Sequence, residues 1–306
     1  MNAHGPIAMI VAIVAVVVSV DGVEAEVRRA LLVGVNTYQD HKTTVSSPVS
    51  GTIVEEKPKA GGQTPGASRG SWTNLDGALN DVEAMRAILV ARFGFQPDHV
   101  RVLTEKQATR EGIIQAIRAH LIDPAQDGDV SVFFYAGHGS QVRNTRGGEL
   151  DQLDESIVPS DVNQGARDVR DKELDRLWRK GLDKGIVITA IFDSCHSGSI
   201  SRGNSRDEKE RVGPPDMGDV ADPPDPGRTP EEYDNFLNLS AAQDTQSAME
   251  SSAAMHGAFT HALMKTLTSV SLNESAENVF LAVNGFLRGE GRVQQPVLGG
   301  SEARKR

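Results

Sequence analysis

The chain holds a single cysteine, Cys195, among its 306 residues. One thiol cannot form an internal disulfide, and a cysteine-rich metal site is excluded as well. Aromatic residues are sparse at 5%, and no basic stripe is interleaved with them, so the footprint of a nucleic-acid-binding protein is missing. An excess of positive charge is also lacking. The formal net charge is −10 with both signs mixed along the chain, which favours cationic partners or simply gives a solvated acidic surface. Finally, no apolar run is long enough to span a bilayer. Ile7–Val20 is interrupted only by Ser19, yet it falls short of the roughly 18 residues a spanning helix needs. Val23-Glu24-Ala25 follows it and fits the small-residue pattern of a signal-peptidase site, although no Lys or Arg precedes the apolar stretch. The expectation is a signal peptide over 1–25 cleaved after Ala25, a secreted or periplasmic product and no stable membrane span. An uncleaved anchor is the alternative.

What is present is 38% hydrophobic residues, enough for a sizeable core, arranged as alternating strand-like and helix-like segments. Val27–Val35, Val100–Leu103, Asp129–Tyr135 and Ile186–Phe192 read as strands. Phe236–Ala242 and Val293–Leu298 read as further ones. Asp76–Phe93 has Leu79, Val82, Met85, Ile88 and Leu89 at helical spacing, and Arg110–Leu121, Lys172–Gly181, Gly257–Leu267 and Ala276–Leu287 are also helical. Apolar strands without clean alternation, separated by helices, predict a mostly parallel sheet covered on both faces. Ligands in such sheets bind beyond the carboxyl ends of the strands. Two stretches break the pattern: Gln39–Ser71, rich in Gly, Ser, Thr and Pro, and Ser197–Asn235, with six prolines between Pro214 and Pro230. Both are expected to be long exposed or disordered loops. The remainder, 26–306, reads as one domain with loop insertions at 39–71 and 197–235.

Two strands end in reactive side chains. Asp129–Tyr135 runs into Gly137-His138-Gly139, and Ile186–Phe192 into Asp193-Ser194-Cys195. An ordinary thiol is only a few per cent ionised at neutral pH, so nucleophilic catalysis by Cys195 needs a nearby base. His138 fits that role, and the glycines beside it let backbone approach a substrate closely. His196 is the competing base, but its side chain points away from the thiol in an extended backbone. The N–H groups of Gly139 and Cys195 are candidates for an oxyanion hole.

Tyr135-Ala136-Gly137-His138-Gly139 together with Asp193-Ser194-Cys195-His196-Ser197-Gly198 resembles the metacaspase branch of the caspase-like cysteine peptidases. Leu75-Asp76-Gly77-Ala78-Leu79-Asn80-Asp81, Asp154-Glu155-Ser156-Ile157-Val158-Pro159, Leu239-Ser240-Ala241-Ala242 and Gly257-Ala258-Phe259-Thr260 agree in order. The separation of His138 from Cys195 is near the roughly 50 residues of caspases. The resemblance implies a caspase-like three-layer α/β sandwich and a Cys195–His138 dyad working through a thioester. It also implies preference for Arg or Lys at P1, set by Asp193 and Asp81 in the S1 pocket, where Asp81 could otherwise be only a favourable acid in a helix's first turn. Related peptidases of other P1 specificity and a peptide-binding pseudopeptidase are the alternatives. Protein or peptide substrates and a monomeric chain are expected. Many metacaspases use calcium. Asp154 and Asp171 match that pattern roughly, but Lys172 and Arg202 stand where further aspartates are common. Cations oppose a site needing six to eight oxygen ligands, so no metal or other cofactor is expected. Arg202, Arg206, Lys209 and Arg211, in the loop after the nucleophile, are candidate self-cleavage sites, and the uncut loop could block the pocket.

Overall fold

The computed structural model of the protein describes residues 26–38, 72–195, 208–243, 246–251 and 253–306. The signal peptide expected over 1–25, the segment 39–71, His196, Arg202 and Arg206 lie outside these residues.

The elements follow in chain order: β1 (Arg28–Gly34), α1 (Ala78–Phe93), β2 (Val100–Thr104), α2 (Arg110–Ala116) and β3 (Val130–Ala136). Next come β4 (Gly139–Arg143), β5 (Leu153–Ile157), β6 (Val169–Arg170), α3 (Asp171–Leu182) and β7 (Val187–Asp193). The C-terminal part holds β8 (Phe236–Ser240), β9 (Glu250–Ser251), β10 (His256–Gly257), α4 (Ala258–Ser269), α5 (Ala276–Gly289), β11 (Val297–Gly300) and α6 (Glu302–Lys305). Helix boundaries carry ordinary chemical signals. Thr109 caps α2 by accepting from the Gly112 N–H at 3.1 Å, and Gly94 ends α1 at φ 71°, the left-handed conformation glycine supplies without strain.

Six strands form one sheet in the order β11-β8-β7-β3-β1-β2. All neighbours are parallel except β11, which runs antiparallel to β8. Every residue of β3 is buried, as a strand covered on both faces requires. Successive strand residues serve opposite faces. Leu32 and Phe134 pack with Val82 and Met85 of α1 and Phe259 of α4, whereas Leu31, Val33 and Phe133 pack with Ile113 of α2 and Trp178 of α3. The result is three layers, helix on sheet on helix.

Three expectations change. The strand expected at Val293–Leu298 begins only at Val297. Pro296 has no N–H to give a ladder, and the Gln294 side chain is spent on the Met249 N–H and the Ala241 carbonyl. A small antiparallel sheet, β4-β5-β6, was not expected. Its strands are short and polar, with Gln141 and Arg143 in β4 and Asp154 and Glu155 in β5, so no run of apolar residues marked it. Third, the stretch from Glu208 onward is not a uniformly exposed loop: Arg211 is wholly buried.

Phe133 lies between Trp178 (centroids 5.4 Å apart) and Phe192 (5.7 Å) in the middle of the helix-covered face. Phe133→Ala is expected to lower the unfolding free energy by about 3–5 kcal/mol, read from urea denaturation.

Candidate active site

β3 and β7 are neighbours, with Ala136 opposite Asp193. His138 and Cys195 each follow two residues beyond that pair, so the carboxyl edge of the sheet brings them together. The strand order reverses between β1 and β3, and such a crevice is where α/β sheets bind ligands. The two turns touch through backbone. A Cβ on Gly139 would lie 2.1 Å from the Cys195 carbonyl oxygen, so only glycine fits there.

His138 is completely buried. Its Nε2 lies 2.6 Å from the Thr73 carbonyl oxygen. A carbonyl can only accept, so Nε2 carries the proton and Nδ1 keeps the lone pair. Nδ1 has no hydrogen-bond partner among the described residues. Tyr38 and Trp72 flank the ring, at centroid distances of 4.5 and 5.9 Å. The His138 N–H donates to Tyr38 Oη at 2.8 Å, and Tyr135 Oη lies 2.7 Å from the His138 carbonyl. Burial lowers the imidazole pKa from 6.5 to about 4, so the ring is neutral at pH 7. Thr73, Tyr38, Trp72 and Tyr135 were not singled out from the sequence. A carbonyl acceptor leaves no side-chain signature, and aromatic residues normally read as core.

Cys195 is 2% exposed, and its Sγ accepts from the Ala248 N–H. Burial pushes the thiol pKa well up.

Arg211 ties the site together. Its carbonyl oxygen accepts from the N–H of Gly139 at 3.0 Å and from the N–H of Cys195 at 3.1 Å. Its own N–H donates to the Ala248 carbonyl at 2.9 Å, and the Glu250 N–H donates to the Lys209 carbonyl at 2.8 Å. The Gly213 N–H donates to the Gly139 carbonyl at 2.8 Å. Residues 209–213 thus run as an added strand across the site. The Arg211 guanidinium reaches Asp81 Oδ2 at 2.6 Å, Glu250 Oε1 at 3.0 Å and Asp193 Oδ2 at 3.2 Å. Asp81 and Asp193, paired from the sequence, therefore do meet; Glu250 is a third carboxylate that the sequence reading missed. It sits beyond a turn-rich stretch with no motif to flag it.

The carboxylates are further held by backbone. Asp81 Oδ1 lies 2.8 Å from His256 Nδ1, and both its oxygens accept from the Gly257 N–H. Glu250 accepts from the N–H groups of Asp76 and Gly77, and Asp193 Oδ2 from the N–H and hydroxyl of Thr260. Burial, with Asp81 nearby, raises the Asp193 pKa to about 6 against the pull of Arg211.

Of the other self-cleavage candidates, Lys209 pairs with Asp76 at 2.6 Å, outside the pocket. Asp154 and Asp171 do not fit a calcium site. Arg170 bonds Asp154 Oδ2 at 2.8 Å, Asn144 shares that oxygen, and Lys172 faces Asp171. Cations in the shell oppose a divalent ion.

A cysteine and a histidine at the ends of neighbouring parallel strands, beside a carboxylate-lined pocket, define a caspase-like α/β domain. Residues 66–202 match the family model "Metacaspase, peptidase C14 domain". Metacaspase-1 of Schizosaccharomyces pombe is 37% identical over 130 residues, 40% of this chain and 30% of that protein. Metacaspase-1 of Yarrowia lipolytica is 40% identical over 136 residues, covering 42% and 29%. Metacaspase-9 of Arabidopsis thaliana is 36% identical over 146 residues, covering 46% and 42%. The matched stretch spans roughly a third of these relatives, 29% to 42% of their length. Among solved structures, protein GSU0716 of Geobacter sulfurreducens shares the fold, with a TM-score of 0.62 at 22% identity over 92% of this chain and 97% of that one. Over residues 66–202 the chain is similar to the metacaspase peptidase C14 domain. No helix among the described residues is long and apolar enough to cross a membrane.

The His138 pKa fixes the sign of one pH effect. The unfolded chain binds a proton near pH 6.5 and the folded chain only near pH 4, so stability from this group is complete above 6.5 and declines as pH falls toward 4. The full difference is about 3 kcal/mol. Across this window, wild type should lose more stability than His138→Ala, as read from urea midpoints at pH 7, 5.5 and 4.5.

Proposed function

We propose that this chain is a cysteine-type endopeptidase that hydrolyses peptide bonds after Arg or Lys, and that it is made as a precursor whose own Arg211–Val212 bond is its first substrate. One observation carries this reading: Arg211 has its guanidinium among Asp81, Asp193 and Glu250 while its carbonyl accepts from the Gly139 and Cys195 N–H groups. A pocket that desolvates a guanidinium against three carboxylates repels an acidic P1 side chain and would leave an apolar one facing unpaired charge.

In the reaction, Nδ1 of His138 takes the thiol proton and Cys195 Sγ attacks the scissile carbonyl carbon. The developing oxyanion is held by the two N–H groups. Collapse breaks the C–N bond, His138 returns the proton to the leaving amine, and a thioester remains. Water, deprotonated by His138, hydrolyses that thioester and frees the thiol. Thr73 keeps the ring in the tautomer this requires. The wider set of self-cleavage candidates narrows to Arg211 among the described residues, because Lys209 pairs with Asp76 instead.

Labelling Cys195 with a chloromethyl ketone carrying Arg at P1 tests the reading, with an Asp-bearing reagent as the control. Label from the Arg reagent alone is expected; equal label from both, or none, overturns it. Cys195→Ala and His138→Ala should each lower peptide hydrolysis by about three orders of magnitude or more, and Asp193→Ala should lose about 2–5 kcal/mol of transition-state binding. On incubation, wild type should yield a fragment beginning Val212-Gly213-Pro214, identified by mass spectrometry. Cys195→Ala protein cut there at the wild-type rate would show that the cleavage is not its own.

A further inference from the structure

The strand that lies in the site extends beyond the scissile bond. If Arg211 is the P1 residue, Val212 is P1′ and Gly213 is P2′. Gly213 is anchored on the machinery itself: its N–H donates to the Gly139 carbonyl at 2.8 Å, and Val212 bridges to Gly139 in parallel. The Ser140 hydroxyl donates to the Pro214 carbonyl at 2.9 Å just beyond. The path of the P2′ residue is therefore set by backbone, not by its side chain.

Gly213 faces the indole of Trp72. A Cβ built there would lie 2.2, 2.8 and 3.2 Å from three ring carbons. Its φ lies outside the left-handed region, so the backbone would accept any residue and glycine is required for space alone. The ring has little room to retreat. Trp72 is 4% exposed, stacks on Tyr38 at 5.6 Å with 17° between planes, and lies 5.9 Å from the His138 ring. The next residue, Thr73, supplies the carbonyl that orients His138. A side chain at P2′ that displaced Trp72 would push on the support of the catalytic base.

We infer that Trp72 is a specificity-determining residue that closes the S2′ subsite and selects glycine at P2′, so that the substrates of this site are Arg-X-Gly sequences cut between Arg and X. This rests on the Arg-directed peptidase reading above and adds a prime-side requirement to it. Trp72 acts by steric exclusion and takes no part in the chemistry.

The test uses the full chain and two quenched fluorescent peptides of sequence Lys-Glu-Arg-Val-Gly-Pro and Lys-Glu-Arg-Val-Leu-Pro. The Gly peptide is expected to have a kcat/KM higher by about tenfold or more, with part of the loss for Leu falling on kcat because the support of His138 is disturbed. In Trp72→Ala the ratio should narrow to about twofold. A ratio of rates on one preparation is insensitive to the fraction of folded enzyme, so a merely destabilised variant would leave it unchanged. In the full-length chain, Gly213→Leu should slow self-cleavage after Arg211 relative to wild type. Equal cleavage of both peptides by wild type, or an unchanged ratio in Trp72→Ala, overturns the S2′ assignment. If the Arg chloromethyl ketone labels Cys195 while the peptides are not distinguished, the peptidase reading survives and this one falls. If neither labelling nor cleavage occurs, both fall.

Discussion

A guanidinium removed from water must be surrounded by acceptors, and four separated parts of this chain meet to do so. Arg211 is completely buried against Asp81 of α1, Asp193 at the end of β7 and Glu250 of β9. Three carboxylates against one cation leave excess negative charge, and part of the answer is that two helices begin at the cluster. Glu250 takes the two N–H groups leading into α1, and Asp193 that of Thr260 in the first turn of α4. Helix N-termini favour anions. Another part is the upward displacement of the Asp193 pKa to about 6. Breaking such a cluster by removing one member leaves unpaired buried charge, a penalty of about 3–5 kcal/mol.

The protonation states of Cys195 and His138 follow from that arrangement. While residues 209–213 cover the site, burial keeps the Cys195 thiol protonated and His138 neutral. Both side chains are in their uncharged forms, and the Thr73 carbonyl holds the histidine tautomer with the lone pair on Nδ1. The N–H groups of Gly139 and Cys195 both hold the Arg211 carbonyl oxygen.

The contrast between what was legible and what was not is clearest at particular residues. The strands ending at His138 and Cys195 were readable because fully covered strands are unbroken apolar runs; that β3 and β7 pair side by side came from the structure. Asp81 and Asp193 were readable as candidate pocket acids through the motifs around them. Glu250 was not, because its role comes from pairing with an arginine 39 positions away. Nor was the course of residues 208–213. Prolines and mixed charge mark a segment as lacking a core of its own, yet Lys209 and Arg211 borrow theirs from carboxylates elsewhere. β4, β5 and β6 went unseen for a related reason: their polar side chains pair with Asp168 and Asp222, and the β4 backbone with that of Asp216.

By itself the sequence determined the alternation of strands and helices, the parallel sheet, and the placement of one thiol and one imidazole at the ends of two strands. These depend on periodicity and on residue types within a few positions of each other. Only the tertiary structure decided which nitrogen of His138 is basic, which three carboxylates surround a cation, that Arg211 is that cation, and that Trp72 stands over Gly213. Each of those is a contact between distant segments, made by a carbonyl, a packed ring or a buried charge. Such contacts depend on how the layers close on one another, and no local pattern of residues records that.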